Sequence, residues 1–134
     1  MRHRRGAFLF SQSVLPLLLN STQQSTHPPS LIFTGATAAM KGSAQFAAFS
    51  TGKFAKRSLS QSLAREFGPK GVHVAHVNVD GIIDIERTKE WTKNLGEDAT
   101  IKPEAIADAY WYLHTQPKTC FTQELDLRPG VEKW

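Results

Sequence analysis

The spacing of apolar residues along the chain predicts an alternation of helices and strands. Over residues 6–20, apolar side chains recur at three- and four-residue intervals, which predicts a helix with a kink or an early end at Pro16. Residues 31–34 form a short apolar run stopped by Gly35, the pattern typical of a fully buried strand. The first third of the chain is therefore expected to hold one helix and one buried strand.

The middle of the chain repeats this order on a larger scale. Over residues 44–67, phenylalanines and leucines form one broad apolar side of a predicted long helix, which Gly68 and Pro69 end. Residues 72–79, Val-His-Val-Ala-His-Val-Asn-Val, predict a second buried strand. The two strands are separated by enough residues for a helical crossover, so they are expected to run parallel.

The last part of the chain predicts two more helices and a strand. Residues 84–95 indicate a short polar helix, and a further helix begins around Pro103, a residue that suits the first helical turn. Residues 121–127 predict a last strand, which the Arg128-Pro129-Gly130 sequence ends. The fold class is therefore α/β. Three parallel strands with helices on both faces make half of a doubly wound sheet, which leaves one edge uncovered and implies a missing partner.

The sequence allows more than one structural role for several side chains of these elements. Trp91 is either a hydrophobic anchor of the polar helix or a wall of a substrate pocket, and the anchor is the favoured reading. Trp111 and Tyr112 are expected in the core or at a dimer contact, because large aromatic rings dominate such surfaces. Cys120, the single cysteine, cannot form an internal disulfide and is expected to be inert packing in a reducing compartment.

Composition narrows the function classes further. The net charge is +4, and Arg2, Arg4 and Arg5 are three of the sixteen basic residues. In the rest of the chain, basic and acidic residues are interleaved. Nucleic-acid binding is therefore not expected, and neither is a metal site, since no Cys/His cluster has ligand spacing. Residues 1–5 are taken as a basic tail and residues 6–134 as one domain. The tail and the apolar run after it begin like a signal peptide, but a helix without a membrane role is favoured.

Three segments together resemble one known family. These are Thr34-Gly-Ala-Thr-Ala38, Phe49-Ser-Thr-Gly-Lys53 and Gly71-Val-His-Val-Ala-His-Val-Asn-Val-Asp-Gly81. The chain resembles the C-terminal half of a short-chain dehydrogenase/reductase, in which a strand ends at a catalytic serine, a helix carries Tyr-x-x-x-Lys and the next strand ends in Pro-Gly. The resemblance implies a partial Rossmann-like sheet, a cytoplasmic protein, a homodimer through helices 6–20 and 44–67, and a substrate lid after Asp84.

The Tyr-x-x-x-Lys motif is present only in part. By resemblance Lys53 would hydrogen-bond the nicotinamide ribose and lower the pKa of a neighbouring phenol, with a solvated helix lysine as the alternative. The phenol position is Phe49, whose ring has no exchangeable proton. The usual general acid/base is therefore missing, and Phe49 is read as a packing residue.

The other positions of the family pattern are also altered. The serine that would polarise the substrate carbonyl falls at Ala36, with Thr37 as a possible substitute hydroxyl. The Pro-Gly turn reads Asp80-Gly81, and Asp80 is either only a turn former or a group that faces the nicotinamide pocket. With Gly81 and Ile83 it completes the expected cofactor side. The family's threonine that would meet the nicotinamide amide is Ile85 here.

The sequence lacks the Gly-rich turn that cradles the pyrophosphate of the family's cofactor. The resemblance implies NAD or NADP, and a small carbonyl or hydroxyl substrate, for a chain completed by its N-terminal half. This chain alone is expected to be impaired or inactive, with a truncated or mis-started gene as one explanation of its basic start. The alternative is a non-catalytic, dehydrogenase-like dimerisation or regulatory partner.

Overall fold

A computed structural model describes the backbone of residues 2–133 and the side chains of residues 5–133. Its centre is a parallel sheet of three strands in the order β1-β2-β3, formed by Ser30–Ala36, His73–Val79 and Glu124–Leu127. Phe33 lies opposite His76 in the register, and His76 lies opposite Glu124. The α/β class and the parallel strands predicted from the sequence are confirmed.

The helices cover the two faces of this sheet. Helix α1 spans Arg2–Ser21, α2 Ala47–Phe67, α3 Lys89–Thr92 and α4 Pro103–His114. Pro16 lies inside α1 without ending it, so the early end considered at this residue is wrong. Helix α1 also includes Arg2 to Arg5, the basic residues that the sequence placed in a tail, while Met1 and the side chains of residues 2–4 lie outside the described part.

One face of the sheet packs against α1 and α2. Its core consists of buried apolar side chains from α1, β1 and β2 and from the residue before β2: Leu15, Leu31, Phe33, Val72 and Val74. The inward sides of α1 and α2 close over them with half-buried leucines and Phe67. Burial of large apolar side chains stabilises this face by about 1.5–3 kcal/mol each relative to exposure.

The opposite face packs against α4. Alternate residues of β2 point there, since successive side chains of a strand face opposite sides, and they contact Leu113 of α4, which is fully buried. His73 lies on this face, with its ring nitrogens 2.9 Å from the Leu113 carbonyl and 2.8 Å from the Thr122 carbonyl. Its ring therefore connects the end of α4 to the segment that leads into β3.

Strand β1 has an outer edge that no other strand pairs with in residues 2–133. Open grooves lie on both sides of this edge. The groove beside α4 is lined mainly by apolar side chains, among them Ile32, Ile106 and Trp111. The groove beside α1 includes Phe10 and Lys56. The edge and its grooves form the uncovered margin that half of a doubly wound sheet is expected to have.

The segment between β2 and α4 differs from its prediction. In place of one helix over residues 84–95, it forms a 3-10 turn over Glu86–Thr88 followed by the single helical turn of α3. Trp91 is 66% exposed and Leu95 is 46% exposed, so neither side chain anchors the segment. A polar stretch without a buried apolar side gains too little from packing to hold a longer helix.

Three further side chains are more exposed than expected. Trp111 and Tyr112 are 63% and 58% exposed, so neither lies in the core, and the alternative of a dimer contact stays a prediction. Cys120 is exposed and does not serve as packing. Among the helices of residues 2–133, none combines the length and apolar character that crossing a bilayer requires.

Candidate functional site

Helix α2 brings Lys53 and Phe49 together. Positions four apart on a helix lie one above the other, and the Lys53 ammonium rests 5.4 Å from the centre of the Phe49 ring. Phe49 is 49% exposed and meets Phe46 edge to face at 6.3 Å between ring centres. The predicted pairing of these positions is therefore present, with a phenyl ring where the family has a phenol.

Lys53 is half-buried and differs in this from a fully solvated helix lysine. Burial lowers its pKa from the ordinary value, and the neighbouring Lys56 ammonium lowers it further by charge repulsion. Lys56 itself donates a hydrogen bond to the Thr34 carbonyl of β1 at 3.2 Å. The two lysines place positive charge beside the carboxyl end of β1.

Thr37 and Asp80 meet at the carboxyl ends of β1 and β2. Thr37 begins a 3-10 turn directly after β1, and Asp80 directly follows β2. The Thr37 hydroxyl donates a hydrogen bond to Oδ1 of Asp80. Asp80 is only 8% exposed, and its backbone N–H donates to the Leu127 carbonyl of β3 at 2.7 Å. Asp80 is therefore more than a turn former, because its carboxylate joins the ends of neighbouring strands.

Arg128, which the sequence had assigned only to a strand end, completes this edge. Its Nη2 lies 3.5 Å from Oδ2 of Asp80 and 3.2 Å from Oδ2 of Asp126. Asp126 also accepts a hydrogen bond from Nδ2 of Asn78 at 2.8 Å. The half-buried guanidinium supplies a positive counter-charge to two carboxylates. Its only signal in the sequence is its position, one residue after the last strand.

The remaining predicted residues take structural places near this edge. A Cβ built on Gly81 would approach Cδ of Pro129 to 2.7 Å, so the absence of a side chain lets the turn pack against the segment after β3. Ile83 pairs with Ile101 and packs against the α4 core. Ala36 is the last residue of β1, next to Thr37. Ile85 is 40% exposed and directly precedes the 3-10 turn over Glu86–Thr88.

Thr88 shapes the segment between the turn and α3. Its buried hydroxyl donates to the Ile83 carbonyl at 2.6 Å and accepts the Ile85 N–H at 3.1 Å. These bonds satisfy backbone groups that the short 3-10 turn leaves unpaired. Thr88 was not among the predicted site residues, and its hydroxyl bonds back to residues before the 3-10 turn instead of capping α3.

A second polar cluster lies between α2 and the sheet, on the face that packs against α1 and α2. Arg57 donates two hydrogen bonds to Glu124, at 2.6 and 3.1 Å, and the Nδ1 atom of His76 lies 3.3 Å from the same carboxylate. His76 is fully buried, and neither ring nitrogen makes a hydrogen bond. Burial lowers the pKa of His76; Glu124 opposes this shift, and Arg57 and Lys56 add to it.

This cluster makes the stability of the fold dependent on pH. The pKa of His76 is lower in the folded chain than its value of about 6.5 in an unfolded chain, so the neutral ring is favoured by folding. The stability that the neutral His76 ring gives the fold is fully present above about pH 6.5. It is lost as the pH falls towards the pKa of His76 in the folded chain. We expect the free energy of unfolding in urea to fall by up to about 1.4 kcal/mol per pH unit in this window.

His76→Phe is the variant that tests this dependence, because it keeps a buried ring and removes the titrating group. Its unfolding free energy should decline less between pH 7 and pH 5 than that of the unchanged chain. His27→Phe, at a half-buried position outside the cluster, serves as the control. Equal declines in the unchanged chain and His76→Phe would contradict the assignment.

The structure brings four of the predicted residues together in two pairs. Lys53 and Phe49 pair on α2, and Thr37 and Asp80 pair at the strand ends. Among the described side chains, no set of three His, Cys, Asp or Glu residues is arranged to hold a metal ion. Lys53, Thr37 and Asp80 can therefore act on a ligand through hydrogen bonds and charge.

Comparison with known proteins gives a consistent result. A family model described as short chain dehydrogenase matches residues 4–96, more than half of the chain. An uncharacterized oxidoreductase of Staphylococcus aureus (strain USA300) is 28% identical over 125 residues, which cover 93% of this chain and 51% of that protein. The chain therefore spans about half the length of the curated relatives it matches.

Solved structures share the fold. The crystal structure of a short-chain dehydrogenase from Rhodopseudomonas palustris covers 96% of this chain and 52% of its own, with a TM-score of 0.69 and 33% identity. The closed form of a serine dehydrogenase complexed with NADP⁺ covers 98% and 54%, with a TM-score of 0.80 and 17% identity. The second likeness, at its low identity, concerns the fold alone.

Proposed function

The chain belongs to the short-chain dehydrogenase family, and from that premise we propose that it forms the substrate-side half of an NAD(P)-dependent oxidoreductase. The substrate class is a small molecule with a carbonyl or hydroxyl group. The observation that carries the proposal is Lys53, which is half-buried and stands beside position 49 on α2. The open edge of β1 is where an N-terminal half would add its strands.

Lys53 fits the ribose side of a nicotinamide cofactor. Its ammonium has three donors, and its charged neighbour Lys56 bonds to the Thr34 carbonyl of β1. Ligands of open α/β sheets bind at the carboxyl ends of the strands. When bound, the cofactor supplies or accepts the hydride. Lys53 contributes the hydrogen bonds and charge that orient the ribose. The sequence contains no Gly-rich turn for the pyrophosphate, so that part of the cofactor needs residues that this chain does not supply.

Phe49 limits the chemistry of this half-site. Hydride transfer to a carbonyl needs a proton for the developing alkoxide, and a phenyl ring cannot supply one. The half-site therefore binds and orients better than it exchanges protons, which is why we propose an impaired oxidoreductase.

The exposed, unpaired Cys120 suits a reducing compartment such as the cytoplasm.

We expect the chain alone to bind NADH and NADPH very weakly. Each hydrogen bond to a charged group contributes about 1.5–3 kcal/mol, so losing two at the pyrophosphate weakens binding by about a hundredfold or more. Titration of the chain with each cofactor, followed by fluorescence of its three tryptophans, measures this. A full-length dehydrogenase titrated in parallel is the control. Saturation at micromolar cofactor would sink the expectation.

A second candidate function, a non-catalytic pairing partner, is favoured by the exposed apolar surface of α1 and α2. We call this surface the paired-helix face. Its large exposed side chains are Phe8, Leu9, Phe10, Leu17, Phe49 and Phe54. Exposed large apolar side chains in this number on two adjoining helices suit an interaction site. Helices α1 and α2 contact each other, so two copies of the chain could close them into a four-helix bundle.

We expect a homodimer through the paired-helix face and its loss in Leu17→Glu. Leu17 is 67% exposed in the single chain. A carboxylate buried at a dimer contact without a partner costs several kcal/mol. Light scattering should give the mass of a dimer for the unchanged chain and a monomer for Leu17→Glu. Trp91→Glu, at a position 66% exposed outside this face, is the matched control and should remain dimeric. A monomer in the unchanged chain argues against the face.

A further inference from the structure

We propose that Asp80 accepts the hydrogen bond of the Thr37 hydroxyl and so leaves Thr37 as a hydrogen-bond acceptor that selects a hydroxyl group over a carbonyl. The inference deepens the proposed function and rests on it, since it names the substrate class of the same site. Thr37 is the residue that would contact the ligand, and Asp80 is a positioning residue that acts through it.

The argument begins with the single proton of the threonine hydroxyl. A hydroxyl donates one hydrogen bond and accepts up to two. In the structure, Thr37 donates its proton to Oδ1 of Asp80. The oxygen therefore presents only lone pairs to any other partner. A carbonyl oxygen also presents lone pairs, so it finds no donor on Thr37, whereas an alcohol can donate its proton to this oxygen.

The surroundings of Asp80 hold this direction in place. Its second oxygen faces Nη2 of Arg128 at 3.5 Å, and its N–H is fixed to Leu127 at the end of β3. The Arg128 guanidinium only donates hydrogen bonds, so the Asp80 oxygens beside it act as acceptors. Asp80 thus keeps accepting from Thr37. This role differs from that of a serine that donates to a carbonyl.

The arrangement predicts a measurable preference. An alcohol adds one hydrogen bond to the Thr37 oxygen that a ketone cannot form, because the ketone oxygen and the Thr37 oxygen both present only lone pairs. One such bond corresponds to about a tenfold difference in Kd. Cyclohexanol and cyclohexanone are suitable probes, since they share size and shape and differ at this group.

The direction of the hydrogen bond is measurable without any ligand. Nuclear magnetic resonance of the full chain should show the Thr37 hydroxyl proton protected from exchange with water. In Asp80→Asn, Arg128 requires the amide oxygen on its side, which leaves the amide NH₂ facing Thr37 as a donor. The Thr37 proton should then lose its protection. A hydroxyl proton unaffected by Asp80→Asn overturns the inference while leaving the proposed oxidoreductase intact.

The ligand experiment follows the Thr37 methyl signal while each probe is added to the full chain. We expect cyclohexanol to bind about tenfold more tightly than cyclohexanone, and the preference to disappear in Thr37→Val and to reverse in Asp80→Asn. Asp84→Asn removes a carboxylate that pairs with Lys102 at 2.5 Å after the same turn, and should keep the preference. A preference for the ketone, or one that Asp80→Asn does not change, overturns the inference. Absence of binding by both probes overturns the proposed substrate site as well.

Discussion

Phe49→Tyr is expected to raise turnover by about a hundred- to ten-thousand-fold in a completed protein, the range that a positioned acid/base contributes. The completed protein carries the Gly-rich half of a close relative joined ahead of α1. Reduction of a simple ketone by NADPH, followed by absorbance, measures the change. The comparison is between the fusion with Phe49 and the fusion with tyrosine.

The expected gain has its origin in the geometry of α2. The Lys53 ammonium already lies over the ring at position 49, so a phenol there would have a positive charge beside it. A neighbouring positive charge favours the ionised phenol and lowers its pKa towards the working pH. The phenol could then exchange a proton with the substrate oxygen during hydride transfer. No change of backbone is needed, because tyrosine differs from phenylalanine only by the hydroxyl.

Variants on the same helix separate this effect from a general one. Phe54→Tyr adds the same hydroxyl at a position that is 41% exposed, compared with 49% for Phe49, and should leave turnover unchanged. Lys53→Ala should weaken cofactor binding in both fusions and remove most of the gain. If the fusion with Phe49 already turns over at rates typical of the family, another proton donor exists and Phe49 is no catalytic loss.

Ala36→Ser tests whether a donor at the end of β1 adds to this gain. Thr37 has its proton committed to Asp80, so Ala36→Ser would introduce a hydroxyl whose proton is free for a carbonyl. In the fusion that carries Phe49→Tyr, we expect a further rise in turnover of ketones if that hydroxyl reaches the carbonyl. An unchanged rate would place the carbonyl out of its reach.

The parts of the site that the sequence predicted are those that depend on local spacing. Lys53 and Phe49 were paired because helix geometry fixes the neighbours of a residue four positions away. The buried strands were recognised because apolar runs bounded by turn residues have few other solutions. The prediction of one helix over residues 84–95 was wrong because these polar residues fit helical spacing but have no surface to pack against.

The contacts at the strand ends depend on the sheet and could not be read from spacing. Thr37, Asp80 and Arg128 follow three different strands, and only the parallel order of those strands brings them together. The sequence left Asp80 open between a turn former and a pocket residue, since an Asp-Gly pair is common in turns. Its contacts with Thr37 and Arg128 show that it does more than form a turn, and both partners lie more than forty residues away along the chain. That Asp80 faces the cofactor pocket stays a prediction.

Gly35→Ala is expected to destabilise the fold by about 1–3 kcal/mol or more, the range for forcing extra atoms into a packed interior. A Cβ on Gly35 would overlap the ring of His76, which is fully buried between the sheet and α2. The ring has little room to move, because Arg57 and Glu124 occupy the space beside it. Urea unfolding followed by circular dichroism measures the loss. Gly52→Ala on α2, where a Cβ meets no atom within 4 Å, is the matched control.

The cause of this loss is separable from a general intolerance of β1 to substitution. His76→Ala removes the obstructing ring and costs stability by itself through the space it leaves. If the clash is the cause, Gly35→Ala should cost much less in the His76→Ala background than in the unchanged chain. The double-mutant cycle should then give a coupling of about 0.5–3 kcal/mol, as for residues in contact. Additive losses would show that the alanine at position 35 strains the strand by another route. The contact with His76 would then not be the reason that β1 carries glycine at this position.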